Sequence, residues 1–104
     1  MSMAFLVIVD HFCHPGREAD AVERIERNGK LMAQVDGFLF RYRTSDPKDA
    51  SAITTVTGWE TESAYRAWLE LKPGDAATPS PYRHFVSRGL FVESACIAGN
   101  GRST

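Results

Sequence analysis

The segment Phe5-Leu6-Val7-Ile8-Val9 limits the possible folds more than any other part of this chain. Its β-branched content marks a strand, and the polar pair Asp10-His11 closes it. A strand with one wet face alternates apolar and polar residues, and this one does not. Both faces therefore need cover, with helices on one side and more protein or a ligand cavity on the other.

The rest of the chain supplies that cover. After the turn signal His14-Pro15-Gly16, the period becomes helical from Arg17 to about Val35. Ala21, Val22, Ile25, Gly29, Met32 and Val35 form one stripe. Asp20 to Arg24, Glu23 to Arg27 and Glu26 to Lys30 are acid-before-base pairs four residues apart, each worth a few tenths of a kcal/mol. Gly29 costs about 1 kcal/mol relative to Ala in a helix, which points to close packing there. Asp36-Gly37 ends the helix, with Gly37 as a left-handed cap.

Phe38 to Arg43 reads as a second strand, with Phe38, Phe40 and Tyr42 on one face and Leu39, Arg41 and Arg43 on the other. Ser45 to Asp49 is a polar turn, and Ile53 to Trp59 is a third strand. Thr61 is the expected N-cap of a second helix carrying Ala64, Tyr65, Ala67, Trp68 and Leu71. A loop follows from Lys72 to Ser80. Ser80-Pro81 then has the form of a helix start, opening a short helix that stops at Gly89, and Leu90 to Ile97 is the fourth strand. The run from Gly99 reads as a frayed tail.

The order β-α-β-β-α-β, with that short extra helix, predicts an α+β, ferredoxin-like domain over 1–104. It has a four-stranded antiparallel sheet and both long helices on one face. The other sheet face would then be a large exposed apolar patch, and a two-fold homodimer packed sheet to sheet would cover it.

Composition narrows the partners. Twelve Lys and Arg against thirteen Asp and Glu give a net charge of −1, which offers nothing to nucleic acid or an anionic membrane. The longest apolar run, Met3 to Val9, is far short of the ~20 residues a membrane span needs. No basic segment precedes it, as one would in a signal peptide. Cys13 and Cys96 could form at most one bridge and read as free thiols in a reducing cytoplasm.

Asp10-His11-Phe12-Cys13-His14 gathers ligand-type side chains in one extended run. His11 and Cys13 share one face, and Asp10 shares the other with His14. A closed zinc site needs a second cluster, so no metal centre is expected. Asp10 or His11, at the end of a buried strand, is a candidate catalytic base. Arg41 and Arg43 are either a solvated pair or an anchor for an anionic substrate.

Pro15-Gly16, Asp36-Gly37-Phe38, Ser45-Asp46-Pro47 and the run from Trp59 to Tyr65 together resemble the antibiotic biosynthesis monooxygenases, small dimeric α+β barrel proteins. The resemblance covers roughly residues 4 to 97. It implies a small monooxygenase that oxidises an aromatic or quinol-like molecule with dioxygen, without metal or flavin. The substrate loses a proton and its own anion passes an electron to dioxygen. The family pattern is an asparagine, a tryptophan four residues later and a tyrosine six after that. Here Trp59 and Tyr65 match, while Thr55 stands at the asparagine and offers one hydroxyl in place of an amide.

Some members use an arginine near the last helix, for which Arg83 or Arg88 could serve. In this reading Trp59, Tyr65 and Thr55 orient and polarise the substrate, and His84 or Asp10-His11 takes the proton. Arg83 steadies negative charge. Trp68, Phe40 and Tyr42 complete the substrate contacts, in a pocket between the open sheet face and the helices.

A haem-degrading branch is the alternative the resemblance offers, with Trp68 at its tryptophan position and His84 as iron ligand. The asparagine that branch carries on strand one is missing here. A third reading is a dimeric barrel that holds a hydrophobic ligand without turnover. Against each role stands a plain structural one: Trp59 and Trp68 as packing residues, Tyr65 as core and His84 as a surface histidine.

Overall fold

In the computed structural model, which describes residues 4–72 and 80–93, six elements follow one another. They are β1 (Phe5–Cys13), α1 (Glu18–Met32), β2 (Phe38–Asp46), β3 (Asp49–Trp59), α2 (Glu62–Leu71) and β4 (Tyr82–Phe91). The sheet order is β2-β3-β1-β4, and every neighbouring pair is antiparallel. This is the ferredoxin-like α+β arrangement expected from the order of elements.

β1 pairs along nearly its whole length with β3 on one side and β4 on the other, which places the doubly apolar strand inside the sheet. Its odd residues face the helices. Phe5 and Val7 join Met32 of α1, Trp59 of β3 and Trp68 of α2 in one buried cluster. Cys13 joins Ala21, Ile25 and Ile53 in a second. The even residues Leu6, Ile8, Asp10 and Phe12 point to the other face, which no helix covers.

Local signals account for the ends of the elements. Thr61 caps α2 as expected, its hydroxyl accepting from the Ala64 amide at 3.1 Å. The first helix stops at Met32 with Ala33 as its C-cap, so Gly37 is not the helix cap expected of it. Gly37 has φ +92° in the following turn, and the Glu60 amide donates to its carbonyl at 2.7 Å, tying the entry of β2 to the exit of β3. The polar turn between β2 and β3 narrows to Pro47-Lys48, so both strands run longer than their β-branched cores.

Two further expectations are corrected. Tyr82 to Gly89 is strand, not helix. Ser80 Oγ does accept from the Tyr82 amide at 3.2 Å, the bond a helix cap would make, but that bond opens a turn equally well. The unpaired edge of β1 takes the residues that follow. Those expected in the fourth strand beyond Glu93, with Cys96, the loop 73–79 and the tail, lie outside the described residues.

The second correction concerns β2. A β-bulge at Leu39 puts Phe38 opposite Trp59 and Phe40 opposite Gly58, shifting the alternation by one. Phe38 therefore packs edge-on to Trp59 beneath the helices, while Phe40 and Tyr42 lie on the open face. Arg41 and Arg43 lie on the helix side with Phe38 rather than opposite it. Arg41 reaches the Ile25 carbonyl of α1, and Arg43 meets Glu26 at 3.4 Å.

Two glycines should respond in opposite directions to alanine. A Cβ at Gly29 would meet Arg41 at 3.6 and 3.7 Å, ordinary contact, so Gly29→Ala should stabilise by up to about 1 kcal/mol through helix propensity. A Cβ at Gly37 would lie 2.7 Å from that of Ala64, on a left-handed backbone. Gly37→Ala should cost about 1–2 kcal/mol from the backbone alone. Urea denaturation of the two variants beside the parent checks both signs.

Candidate functional site

The helix-facing side of the sheet is apolar at its ends and polar in its middle. Along β3 the inward residues are Ile53, Thr55, Thr57 and Trp59, so two threonines sit where aliphatic side chains would be expected. Opposite them, α1 presents Ile25, Asn28 and Met32, and α2 presents Tyr65 and Trp68. Between the layers is a cavity of about 240 Å³. Val7, Val9 and His11 of β1 line it from the sheet, as do Arg41 of β2 and Tyr82, Phe85 and Ser87 of β4. An apolar cavity of about 150 Å³ accepts benzene, so this one has room for one or two fused rings.

Among the described residues, four buried side-chain atoms have no hydrogen-bond partner: Asn28 Oδ1, Arg41 Nε, Thr55 Oγ1 and Trp59 Nε1. All four belong to residues bordering this one cavity. Leaving such a group unpaired costs about 1–3 kcal/mol, so their gathering around a single space needs a reason beyond packing.

His11 is buried, and its Nδ1 lies 3.1 Å from the Ile53 carbonyl. A carbonyl only accepts, so Nδ1 carries the hydrogen and Nε2 is left as the basic nitrogen. Burial pushes the His11 pKa below its ordinary value, helped by the nearby Arg41 charge and opposed by the bond to Ile53 and by Asp10. His11 is thus a neutral base in a partly apolar chamber, its ring 4.9 Å from that of Tyr82.

The structure brings His11, Thr55, Trp59, Tyr65 and Trp68 around the cavity; the Trp59 and Tyr65 rings are 6.1 Å apart. The other candidates lie elsewhere. Asp10 is on the open face, accepting from Thr54 Oγ1 at 2.6 Å. His84 is on the same face, stacked on Phe12 at 4.5 Å. Phe40 and Tyr42 lie there too, so the chamber belongs to the helix-covered face. Arg83 is exposed and donates through Nε to the Cys13 carbonyl at 3.3 Å.

The residues called on for haem therefore do not meet, because Trp68 lines the chamber while His84 lies across the sheet from it. The ligand-type run from Asp10 also diverges: His11 and Cys13 point inward, Asp10 points outward, and His14 is exposed in the turn. Burial raises the Cys13 thiol above its ordinary pKa, which keeps it in the unreactive form.

Asn28, Met32, Thr57 and Tyr82 were not legible as site residues. The signal available for Thr57 was a second threonine on a buried strand face; for Asn28 there was none.

A model of the family described as antibiotic biosynthesis monooxygenase matches residues 4–77. The chain belongs to that family. Among curated proteins no relative matches by sequence. Solved structures agree on the fold. A variant of SnoaB, a cofactor-independent oxygenase from Streptomyces nogalater, superposes with TM-score 0.77 at 13% identity, covering 91% of this chain and 98% of that one. A haem-degrading protein from Mycobacterium tuberculosis gives 0.70 at 19%, covering 95% and 100%. An antibiotic biosynthesis monooxygenase homologue from Bacillus cereus gives 0.68 at 19%, covering 93% and 100%. Among the described residues, this member of the family has no helix long and apolar enough to cross a membrane.

The lowered pKa fixes a pH dependence of stability. Free imidazole, as in the unfolded chain, titrates near 6.5, and the folded His11 titrates below that. As pH falls through 6.5 the unfolded state takes the proton first. The contribution of neutral His11 is therefore complete above about pH 6.5 and is lost below it, down to the folded pKa. Urea denaturation at pH 7.5 and 5.5 should show a drop that His11→Gln reduces; an unchanged drop would contradict the assignment.

Proposed function

We propose that this chain is a cofactor-independent monooxygenase acting on a one- or two-ring aromatic, quinol-like molecule, with dioxygen as its other substrate. The observation that carries the reading is the neutral His11, held by the Ile53 carbonyl with Nε2 as its basic nitrogen, beside an apolar chamber bordered by unpartnered polar groups. His11 Nε2 takes the proton from a ring hydroxyl. The resulting anion passes an electron to dioxygen, and no resident redox group is called for. The Thr55 hydroxyl and the Trp59 indole N–H, each without a partner, are donors for charge that grows on the substrate oxygen. Tyr65, beside Trp59, supplies a further hydroxyl. The helices cover part of the chamber, and a bond shielded from water there is stronger than one in solution.

The reading predicts dioxygen uptake with a naphthoquinol or benzoquinol substrate and no added metal. His11→Gln should lower kcat by about 10²–10⁴, the usual worth of a positioned base. Tyr65→Phe should lower it by roughly threefold to tenfold, the worth of one neutral hydrogen bond. Because the His11 pKa is depressed, kcat/KM should stay level from neutral pH down past 6.5 and fall only in more acid solution. Ligand-dependent thermal stabilisation without uptake above the uncatalysed rate would instead favour a binding protein.

We infer also that the open sheet face is a two-fold interface between copies of this chain. Tyr42 is 63% exposed and Val86 55%, beside Leu90 and the half-buried Leu6, Ile8 and Phe12. A free patch of this kind is unusual on a soluble monomer. Sedimentation should give twice 11.5 kDa, and the double variant Tyr42→Asp, Val86→Asp should shift it to the single-chain mass.

A further inference from the structure

The electrostatic character of the chamber points to a substrate more specific than an aromatic ring. Its lining includes Arg24, Arg41 and Lys72 and, among the described residues, no Asp or Glu. Composition does not explain this, since acidic residues outnumber basic ones thirteen to twelve. The nearby carboxylates are turned away or engaged: Asp10 points to the opposite face and accepts from Thr54, and Glu26 meets Arg43.

Arg41 is the most deeply placed of the three. Its Nη1 donates to the Ile25 carbonyl at 2.7 Å, and its Nε is buried without a partner. The side chain passes α1 at Gly29, where the nearest approach to an added Cβ would be 3.6 Å. The bulge at Leu39 turns this residue toward the helices at all. A guanidinium keeps its charge, and a partly buried one without an opposite charge gives up solvation that a counterion would restore. Among the described residues, the cation at the centre of this site has no counterion.

We propose that the chamber selects an aromatic ligand bearing a fixed negative charge, an arene carboxylate or a similarly acidic ring substituent, with Arg41 as its counterion and specificity determinant. This deepens the monooxygenase reading and takes from it only the aromatic ring. A planar carboxylate suits the guanidinium, whose donors lie in one plane. The remaining ring positions are left for His11 and for the unpartnered groups of Thr55 and Trp59.

A matched pair of bicyclic probes tests it: 2-naphthoate and its neutral near-isostere 2-naphthamide, titrated calorimetrically into the parent protein at pH 7.5. Naphthoate should bind at least tenfold more tightly. Arg41→Gln should bring the two affinities within about twofold by weakening naphthoate alone. Arg43→Gln, which removes a charge two residues along the same strand, should leave the ratio intact. Equal affinities in the parent protein, or a preference that survives Arg41→Gln, would overturn the proposal. Should Arg41→Gln fail to fold, the parent ratio and the Arg41→Lys variant decide: Lys keeps the charge but not the planar fork and should lower the ratio without abolishing it. An unchanged ratio in that variant rejects the assignment to Arg41. The readout is binding alone, so absence of dioxygen uptake leaves the charge preference standing. Equal affinities accompanied by uptake would reject the preference and spare the oxygenase reading.

Discussion

The central position of β1 is the constraint on which the rest of this molecule depends. A strand apolar on both faces and able to pair along both edges is stable only inside a sheet with layers on either side. Pairing with β3 and β4 satisfies its backbone, and α1 and α2 cover Phe5 and Val7. The same geometry brings His11 to the inner face at the far end of the strand, where it meets the carbonyl that fixes its tautomer. The inner face of one nine-residue strand thus carries both core side chains and the buried histidine.

The chamber exists because the core is incomplete. Phe5, Val7, Met32, Trp59 and Trp68 pack closely at one end, and Cys13, Ala21, Ile25 and Ile53 at the other. Between them the floor is threonine rather than valine or isoleucine, and the helix above carries an asparagine. Replacing these with aliphatic residues would make the middle of the core apolar and remove two of the four unpaired polar atoms, those of Asn28 and Thr55. The protein forgoes that stability, a trade that functional sites commonly make.

The features legible in the sequence were those set by short-range physics. The Thr61 cap and the amphipathic stripe of α1 each depend on a few neighbouring residues and are found where the pattern put them. Gly37 does take a left-handed turn, although the helix it was expected to cap stops earlier, at Ala33. The order of elements was enough for the topology. What escaped depended on partners distant in the chain. Ser80-Pro81 makes the local bond of a helix start, and only the vacant edge of β1 turns the next ten residues into a strand. Thr55, Trp59 and Tyr65 were legible as a set only through the family resemblance, and His11 through its place on β1. Asn28 and Tyr82 reach the chamber from elements that say nothing of it locally. Among the cations, the resemblance pointed to Arg83 or Arg88 near the expected last helix, yet those that border the space are Arg24, Arg41 and Lys72.

The bulge at Leu39 has a consequence for how β2 divides its side chains. With strict alternation, a strand beginning at Phe38 can give the core its ring only by sending every odd-numbered residue outward. One unpaired residue breaks that parity. Phe38 can then anchor the Trp59 corner while Arg41, three positions on, overlooks the same interior, and the aromatic pair Phe40 and Tyr42 goes to the outer surface. A half-step in a single strand thereby uncouples inner charge from outer grease, so that either can be altered by substitution without dragging the other along.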